Sequence, residues 1–339
     1  VVIIYFENYY KNNIIINKNK KNKMSNLSEL NSLERANEDY LHGLEYLQTS
    51  CIKCRFKPNY LDAIPFLKKA AEIYRGCGNF EREVETRELL VRCFKEEQSF
   101  WEEGNEYQKM CQAQINQLKK IPEAKISIIN AFNAFAANRT YGDGIKAITK
   151  ASGFFIDNNN KTEAEEILDF GFTGVQKYYH VLVVNEEENH YYIYELIDKY
   201  VDLLFDKEKF DKCAEISEKI AELVKEEKSD EKKTICKYYG FWALSELLNK
   251  NEKKYQEIID KGMDYEKDGD KFCSQINRLI NVINQKDKEN EKLIKKLYAE
   301  IARNIPSCMA KLFNIKFVQV GILKSKEEIN TMDDEDDLK

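Results

Sequence analysis

The sequence predicts an all-α protein, built as a right-handed helical-repeat solenoid of antiparallel helix pairs with a C-terminal helical bundle. The first observation is composition: the 339 residues include only 4 Pro and 13 Gly, and few breakers beside many Glu, Lys, Leu and Ala favour helices. The second is that apolar residues recur at the spacing of one helix face from about residue 30. The third, a regular distance between helix starts, predicts the repeat.

Composition also limits the class of protein. Hydrophobic residues make up 43% of the chain and charged residues 33%, so a sizeable core can form. The net charge of −6 argues against a general nucleic-acid binder, which needs clustered positive charge. Nine scattered cysteines are typical of reduced thiols in the cytosol. No run approaches the roughly 18 apolar residues that a membrane span needs. We therefore expect a cytoplasmic protein.

Residues 1–23 differ from the rest because they are almost all Ile, Asn, Lys, Tyr and Phe. Met24 follows, and we expect the native protein to begin there, so that residues 1–29 form a non-native or disordered leader. Glu7 and Lys11 interrupt the apolar segment that a secretory signal would need. A basic amphipathic membrane anchor is the alternative.

Apolar stripes mark the helices that follow, and each stripe must pack on a neighbouring helix. The first stripe comprises Leu33, Ala36, Tyr40, Leu44 and Leu47; the second comprises Ala63, Leu67, Ala70, Ala71 and Tyr74; a later one comprises Phe210, Cys213, Ala214, Ser217, Ala221 and Val224.

The starts of these helices are evenly spaced. The first helices of successive pairs are predicted to begin near Tyr60, Phe100 and Tyr141, and the second helices near Phe80, Ile121 and Thr162. A two-helix unit of about 40 residues is typical of a tetratricopeptide-like solenoid, although it is longer than the standard unit. An irregular helical protein is the alternative.

The register changes after about residue 180, where Asn185-Glu-Glu-Glu-Asn189 is predicted to be an inserted loop. The pattern then predicts that Tyr191–Phe205 pairs with Phe210–Glu226, and Lys233–Leu248 with 252–262. The resulting domain prediction is a solenoid over 30–265, a C-terminal bundle over 266–320 and an acidic tail over 321–339.

Catalytic signatures are absent from the sequence. It contains none of the phosphate-loop, dinucleotide, hydrolase or zinc-protease motifs. Cys51 and Cys54 have the spacing of a metal or redox pair, but a structural zinc site needs a second pair of ligands. Glu163, Glu165 and Glu166 are interpreted as a solvated helix face. The sequence thus predicts neither an enzyme nor a cofactor or metal site. It favours an adaptor that grips a rod-shaped partner, or else the regulatory arm of an enzyme.

Several short segments carry a family resemblance. Gly43–Thr49, Lys57–Tyr60 and the helix around Ala70-Ala71 resemble the amino-terminal region of the soluble NSF attachment proteins (SNAPs), above all the γ type. Lys119–Ala124, Phe210-Asp211 and Lys232–Ile235 are also similar to γ-type segments. The similarity runs with gaps from about residue 35 to 290, whereas the acidic end of the chain is more similar to the α type.

This resemblance implies a function. SNAPs are adaptors that bind the assembled four-helix SNARE bundle, of the syntaxin type, after membrane fusion. They recruit and stimulate the hexameric NSF ATPase, which takes the bundle apart in vesicle-mediated and intracellular protein transport, for example between ER and Golgi. They have no active site, no cofactor and no nucleic-acid partner. A generic helical-repeat scaffold in membrane trafficking is the alternative.

The loop between the first two helices is expected to contact membranes. It combines apolar and cationic side chains, namely Ile52, Lys53, Arg55, Phe56 and Lys57. Apolar side chains enter the bilayer interface, and each basic residue gains about 1 kcal/mol near anionic headgroups. Such a contact is weak and reversible, and it predicts peripheral association with an anionic membrane surface. Alternatively, the two apolar side chains fold back on the first helix pair.

The end of the chain is the expected NSF contact, by resemblance to the family. It carries five carboxylates and one apolar residue: Asp333, Asp334, Glu335, Asp336, Asp337 and Leu338. The charges would steer the tail to a basic surface, and the leucine would fix its register. Without the resemblance, such a charge run is interpreted as a solvated end.

Overall fold

The computed structural model describes residues 30–49, 57–185, 187–228, 230–266, 271–285 and 290–319. The regular structure within these ranges is helical, without a strand. Neighbouring helices pack against each other in pairs. The predicted all-α helical-repeat class is confirmed.

The chain forms two compact units, one up to Asn160 and one from Lys161. The first unit contains α1 (30–47), α2 (Tyr60–Gly76), α3 (Phe80–Glu96), α4 (Phe100–Asn116), α5 (Ile121–Ala137) and α6 (Tyr141–Asp157). The second contains α7 (Lys161–Asn185), α8 (Glu187–Asp206), α9 (Phe210–Glu227), α10 (Lys232–Leu248), α11 (Glu252–Met263), α12 (Phe272–Asn284), α13 (Glu291–Ile301), α14 (Ser307–Phe313) and a π-helix (Asn314–Gln319).

The helices α2 to α6 are copies of one another in length. Each has 17 residues, and they begin 20 or 21 residues apart. The five helix starts predicted in this region are confirmed, and α7 begins at Lys161, one residue before the predicted Thr162. Because the connections are short, consecutive helices run antiparallel and each packs on the next.

One turn geometry joins most of these helices. A residue two positions before the next helix has a positive φ, and these residues are Gly78 (72°), Gln98 (56°), Lys119 (56°), Arg139 (64°), Asn159 (62°), Glu208 (52°) and Lys250 (61°). The amide that follows usually bonds back to the carbonyl five residues earlier, as from Ser99 to Phe94 at 2.8 Å. This is the Schellman motif, which satisfies carbonyls at the helix end.

The predicted apolar stripes form the core. All five residues of the α2 stripe and all six of the α9 stripe are buried. In the first unit, α5 inserts Phe132 towards α6 and Phe135 towards α4. A Cβ added at Gly104 of α4 would lie 2.9 Å from the Phe135 ring, and one at Gly144 of α6 would lie 2.9 Å from Phe132. Glycine at these positions lets both rings reach the neighbouring backbone.

The inserted loop predicted at Asn185-Glu-Glu-Glu-Asn189 is wrong. α7 continues for 25 residues to Asn185, and α8 begins at Glu187. The apolar stripe of α7 runs on through buried Tyr179, Leu182 and Val183, which extends the helix. Carboxylates at the start of α8 are favourable there because the helix dipole is positive at its N-terminus. The extra residues therefore lengthen two helices.

Glu165 does not belong to a solvated face as interpreted from the sequence. Its side chain is only 10% exposed. It accepts hydrogen bonds from Lys207 and, at 2.6 Å, from Lys209. Both lysines lie in the turn between α8 and α9, more than 40 residues away. The ion pairs fix this turn against α7.

The end of the described chain packs back on α8. Ser307 Oγ donates to Asp202 Oδ2 at 3.1 Å, and the Cys308 amide donates to Asp202 Oδ1 at 2.6 Å. The π-helix contacts α12 and α13. The predicted pairs α8 with α9 and α10 with α11 are neighbours, and α9 also packs on α10. The predicted domain boundaries at 265 and 320 stay predictions.

No helix in the described part of the chain is long and apolar enough to cross a membrane.

The repeated turn generates a stability prediction. Gln98 is exposed and adopts φ 56°, a conformation that costs a non-glycine residue about 1–2 kcal/mol. Glycine removes this strain but loses about 0.5–1 kcal/mol of backbone entropy on folding. We expect Gln98→Gly to raise the free energy of unfolding by about 0.5–1 kcal/mol, measured by urea denaturation at constant m-value. Gly78→Ala is the reverse control and should destabilise. Two unchanged midpoints would contradict the role of the turn.

Candidate functional site: a docking groove and its support

The structure places few of the predicted contact residues. Ile52, Lys53, Arg55 and Phe56 lie outside the described residues, and only Lys57 of the membrane loop is described, as an exposed residue before α2. The predicted tail contacts, 333–338, also lie outside the described residues. Both assignments stay predictions.

The base of the membrane loop is described and is closed. The Asn59 amide donates to the carbonyl of Tyr46 at 2.9 Å, which joins the start of α2 to the end of α1. The Asn59 side chain caps α2 by accepting from the Asp62 amide. The Tyr46 ring stacks on Phe66 with centroids 5.6 Å apart. The described residues on the two sides of 50–56 are therefore held together.

The most distinctive surface of the first unit is the outward face of α4. We call it the α4 stripe, and it comprises Trp101, Asn105, Gln108, Lys109 and Gln112. Trp101, Asn105, Gln108 and Gln112 follow one another at three or four residues, and Lys109 lies four residues after Asn105, which places all five on one helix face. Trp101 is 46% exposed and the others are half-buried. A stripe of one indole, three amides and an ammonium group is suited to hydrogen bonding with a protein surface.

The α4 stripe borders a shallow groove against α6. The groove has a volume of about 190 Å³ and is lined on the α6 side by Lys150 and Phe154. The Lys150 ammonium lies 5.9 Å from the centre of the Phe154 ring. Trp101 Nε1 donates to Asp143 Oδ2 of α6 at 3.1 Å, which links the two helices across one end of the groove.

A second groove lies between α3 and α5. Its volume is about 300 Å³, and its lining includes Glu88, Tyr107, Glu123 and Ile126. Ile126 is 58% exposed. The two grooves differ in charge. The first is lined by the cations Lys109 and Lys150, whereas the second is lined by the carboxylates of Glu88 and Glu123.

A buried ion network supports the α4 stripe from below. The Arg87 side chain of α3 is 1% exposed. Its Nε donates to Glu83 Oε1 at 2.8 Å, its Nη1 to Glu106 Oε2 of α4 at 2.5 Å and its Nη2 to Glu72 Oε1 of α2 at 2.9 Å. One guanidinium thereby joins three consecutive helices.

Burial has opposite outcomes for two of these carboxylates. Burial raises the pKa of Glu83, and it outweighs the attraction of Arg87. Burial also opposes ionisation of Glu72, but the hydrogen bond from Arg87 together with the attraction of Arg87, Lys109 and Arg75 outweighs it and lowers the pKa of Glu72. Glu83 Oε2 has no hydrogen-bond partner among the described residues. Glu83 is thus the member of the network that depends most on Arg87.

The network reaches the surface through Lys109. Its ammonium lies 2.8 Å from Glu106 Oε1, while the side chain remains 38% exposed. Lys109 is also a member of the α4 stripe. The stripe is therefore positioned by the same ion network that joins α2, α3 and α4.

Two further clusters lie in the second unit. Cys236 Sγ lies 3.4 Å from Cys273 Sγ, and the Glu266 carboxylate completes a group whose ligand atoms all lie within 4.8 Å of one another. The Cys273 thiol donates to the Cys236 carbonyl, and the Glu266 carboxylate accepts from the amide of Ser274. The first bond joins α12 to α10, and the second joins the start of α12 to Glu266, which follows α11. The other cluster is a cationic cleft of about 360 Å³ between α8, α10 and the turn before α14.

Sequence reasoning missed the α4 stripe and the network. Asn105, Gln108 and Gln112 match the solvated face of any amphipathic helix, and only the neighbouring α6 makes them part of a groove. Arg87 and Glu106 are 19 residues apart. A signal for the stripe was the tryptophan on an otherwise polar face.

No protein-family model matches the chain, and no curated protein matches its sequence. A crystal structure of BtubC (BKLC) from P. vanneervenii is similar over 70% of this chain and 88% of that chain, with 10% sequence identity and a TM-score of 0.32. A TM-score this low carries no argument about fold or function.

The buried network generates a pH-dependent prediction. Arg87→Met leaves buried carboxylates unpaired, so we expect a loss of about 3–5 kcal/mol at pH 7. Without the guanidinium, the pKa of Glu83 rises further above its unfolded value of about 4.3. A carboxyl with a raised pKa destabilises the fold above that pKa and stops doing so once protonated. The loss should therefore shrink between pH 7 and pH 5.

Urea denaturation at both pH values measures this effect. Arg82→Met is the matched control, because Arg82 is 46% exposed and pairs with the equally exposed Glu85. We expect it to cost less than about 0.5 kcal/mol at either pH. A loss at Arg87 that is the same at pH 5 and pH 7 would contradict the network.

Proposed function

We propose that this chain is an adaptor that binds assembled SNARE complexes and recruits and stimulates the NSF ATPase, which disassembles them. In this proposal the chain carries out no chemistry itself. The partners come from the resemblance of the sequence segments to the SNAP family. The structural observation that carries the adaptor role is the α4 stripe, with its exposed tryptophan beside three amides and Lys109.

The chemistry of the α4 stripe fits the outside of a helical bundle. A coiled coil turns its apolar residues inward, so its outer surface consists of polar and charged side chains. Asn105, Gln108 and Gln112 offer donors and acceptors to such a surface, and Lys109 and Lys150 offer charge to carboxylates. Tryptophan is enriched among the residues that dominate binding energy in protein interfaces. The groove itself, at about 190 Å³, is smaller than most small-molecule sites.

A rigid platform also fits this role. Helices α2 to α6 have equal lengths and similar turns, and Arg87 joins three of them. Docking on a preorganised surface loses less conformational entropy than docking on a mobile one. A stripe on such a platform presents its side chains in a fixed pattern along a rod-shaped partner.

Membrane and ATPase contacts complete the proposal. Residues 50–56 connect α1 to α2, whose facing ends are joined by the bond from Asn59 to Tyr46, and Lys57 is exposed there. The apolar and cationic residues of this segment would hold the adaptor weakly at an anionic membrane that carries SNAREs. The carboxylates of 333–337 would steer the chain to a basic surface of NSF.

The α4 stripe provides the first test. We expect Trp101→Ala to weaken binding of a soluble SNARE complex at least tenfold, because truncating an interface hot spot costs roughly 2 kcal/mol or more. Binding is measured by fluorescence anisotropy, and SNARE-dependent recruitment of NSF by pull-down. Ile126→Ala is the matched control, since Ile126 is exposed on the other groove; we expect a change below twofold.

Two outcomes would contradict the proposal. If the wild-type chain binds neither a SNARE complex nor NSF, the alternative of a generic trafficking scaffold is favoured. If Trp101→Ala and Ile126→Ala weaken SNARE binding equally while circular dichroism shows both folded, the α4 stripe is not the docking surface.

The membrane loop provides an independent test. Replacing both Ile52 and Phe56 with aspartate should reduce binding to anionic liposomes, because the apolar contact is lost and negative charge is added. Disassembly of membrane-anchored SNARE complexes should slow severalfold, while disassembly of soluble complexes stays within about twofold. Equal loss in the two disassembly assays would assign the loop to the fold.

A further inference from the structure

The cluster of two thiols and one carboxylate in the second unit has no role in the proposed function. It consists of Cys236 of α10, Cys273 of α12 and Glu266, which follows α11. The two sulfur atoms lie 3.4 Å apart, and the three ligand atoms all lie within 4.8 Å of one another. Both cysteines are at most 1% exposed, and Glu266 is half-buried. Three side chains that can bind a metal therefore converge from three places in the chain.

The separations of these atoms agree with a tetrahedral zinc site. Zinc–sulfur bonds are about 2.3 Å long, so two thiolates on one tetrahedral ion lie about 3.8 Å apart. A thiolate and a carboxylate oxygen on the same ion lie about 3.6 Å apart. The 3.4 Å between the sulfur atoms of Cys236 and Cys273 is close to the first value, and the 4.8 Å limit includes the second. Small rotations of the side chains are enough to form the site.

The ligand types favour zinc over other metal ions. Cysteine and acidic side chains both bind zinc, whereas calcium and magnesium prefer oxygen ligands alone. Copper(I) prefers thiolate and thioether sulfur and gains little from a carboxylate. Two thiolates and one carboxylate carry three negative charges, and a divalent ion neutralises two of them. Such a cation lowers the cost of keeping these groups charged in a buried place.

Gly262 of α11 leaves space beside the Cys273 sulfur. A Cβ added at Gly262 would lie 2.6 Å from Cys273 Sγ and 2.9 Å from the Cβ of Tyr239. A larger residue would therefore push α11 away from both α10 and α12. Glycine at this position lets the end of α11 approach the two sulfur atoms, and it brings the carboxylate of Glu266 with it.

The carboxylate of Glu266 is oriented by its neighbours. The Tyr265 ring stacks on Tyr239 of α10 with centroids 5.6 Å apart, and the Tyr265 amide donates to the Gly262 carbonyl at 3.1 Å. Glu266 Oε1 accepts from the Ser274 amide at 2.6 Å, and Oε2 accepts from the Ser274 hydroxyl. Each carboxylate oxygen can still offer a lone pair to a cation. Hydrogen bonds of this kind orient the carboxylate ligands of metal sites.

The hydrogen bonds of the two thiols are weak and compatible with metal binding. The Cys236 thiol donates to Cys273 Sγ, and the Cys273 thiol donates to the Cys236 carbonyl at 3.3 Å. That carbonyl lies inside α10, where it also belongs to the helical ladder of hydrogen bonds. A thiol is a weak donor, so its loss costs this carbonyl little. Zinc takes the place of both thiol protons, which are released to the solvent.

A buried hydroxyl lies near the same cluster. Tyr255 of α11 is 4% exposed, and its Oη has no hydrogen-bond partner among the described residues. Burial raises the pKa of Tyr255, and the negative charge of a Cys273 thiolate raises it further. The phenol therefore stays protonated, and its O–H dipole can stabilise negative charge nearby. A zinc ion with two thiolates and one carboxylate retains one such charge.

We propose that Cys236, Cys273 and Glu266 bind one zinc ion. The ion joins α10 and α12 to the segment that follows α11, and water takes the fourth tetrahedral position. An unfolded chain does not hold the three ligands together, so zinc stabilises the folded second unit. The inference does not depend on the proposed function, because it is tested without SNAREs or NSF.

Cobalt(II) tests the site by absorption, because it replaces zinc in tetrahedral sites and is coloured. The full chain is reduced with a thiol-free phosphine, stripped of metal with a chelator, and titrated with cobalt chloride and then with zinc chloride. We expect one cobalt ion per chain, with a thiolate-to-cobalt charge-transfer band and the intense visible bands of tetrahedral cobalt. Zinc should displace the cobalt, and saturating zinc should raise the thermal midpoint of the metal-free chain by about 3 °C or more.

Substitutions assign the ligands. Cys236→Ala and Cys273→Ala should each abolish the charge-transfer band, whereas the control Cys213→Ala, at an equally buried thiol of α9, should bind cobalt within about twofold of the wild type. Glu266→Gln keeps the shape of the side chain but loses its charge, and it should weaken cobalt binding by about tenfold or more. Its control is Asp264→Asn, in the same turn and exposed. Circular dichroism checks folding, and the half-exposed Glu266 can be replaced even if a buried cysteine cannot.

Each contrary result overturns a stated part of the inference. If the wild-type chain shows no charge-transfer band and zinc leaves the thermal midpoint unchanged, the cluster binds no zinc. If the band persists in Cys236→Ala and Cys273→Ala but is lost when Cys51 and Cys54 are both replaced by serine, the metal is bound by that other pair. If Glu266→Gln and Asp264→Asn bind cobalt equally well, Glu266 is not a ligand.

Discussion

The buried guanidinium of Arg87 is the interaction on which the first unit depends. It satisfies carboxylates from α2, α3 and α4 at once, so none of these helices can shift without breaking a charged hydrogen bond in a site of low polarity. Apolar packing alone lets similar side chains slide past each other, whereas a bidentate or tridentate ion contact fixes one register. Lys109 pairs with Glu106 of the same network, so the polar surface of α4 is held in the same register.

A second constraint is carried by the backbone rather than by side chains. Among the described residues, seven connections place one residue in the left-handed region, and of these seven only the first uses glycine. The same turn is thus made by residues as different as Gln98, Arg139 and Glu208. The hydrogen bonds that close each helix end outweigh the local strain, which explains how the sequence of the turn varies while its backbone geometry is kept.

The sequence predicted what repeats and missed what is specific to one place. Stripe periodicity was enough to locate the helix starts from Tyr60 to Tyr141, because burial acts on every turn of a helix. The acidic run after Asn185 was misinterpreted, since charge is favourable at a helix N-terminus as well as in a loop. Glu165 looked solvated because its lysine partners lie more than 40 residues away. The α4 stripe borders a groove only because α6 packs beside α4, and the sequence of α4 alone does not show this.

The short connections between α2 and α6, three residues in each case except four between α4 and α5, also have a mechanical consequence. Each turn is closed by hydrogen bonds to the preceding helix, and each residue can add at most about 3.6 Å. Such a turn can lengthen only by breaking those bonds. A pull on one of these helices would therefore act on the hydrogen bonds of the helix ends before the connection gains much length.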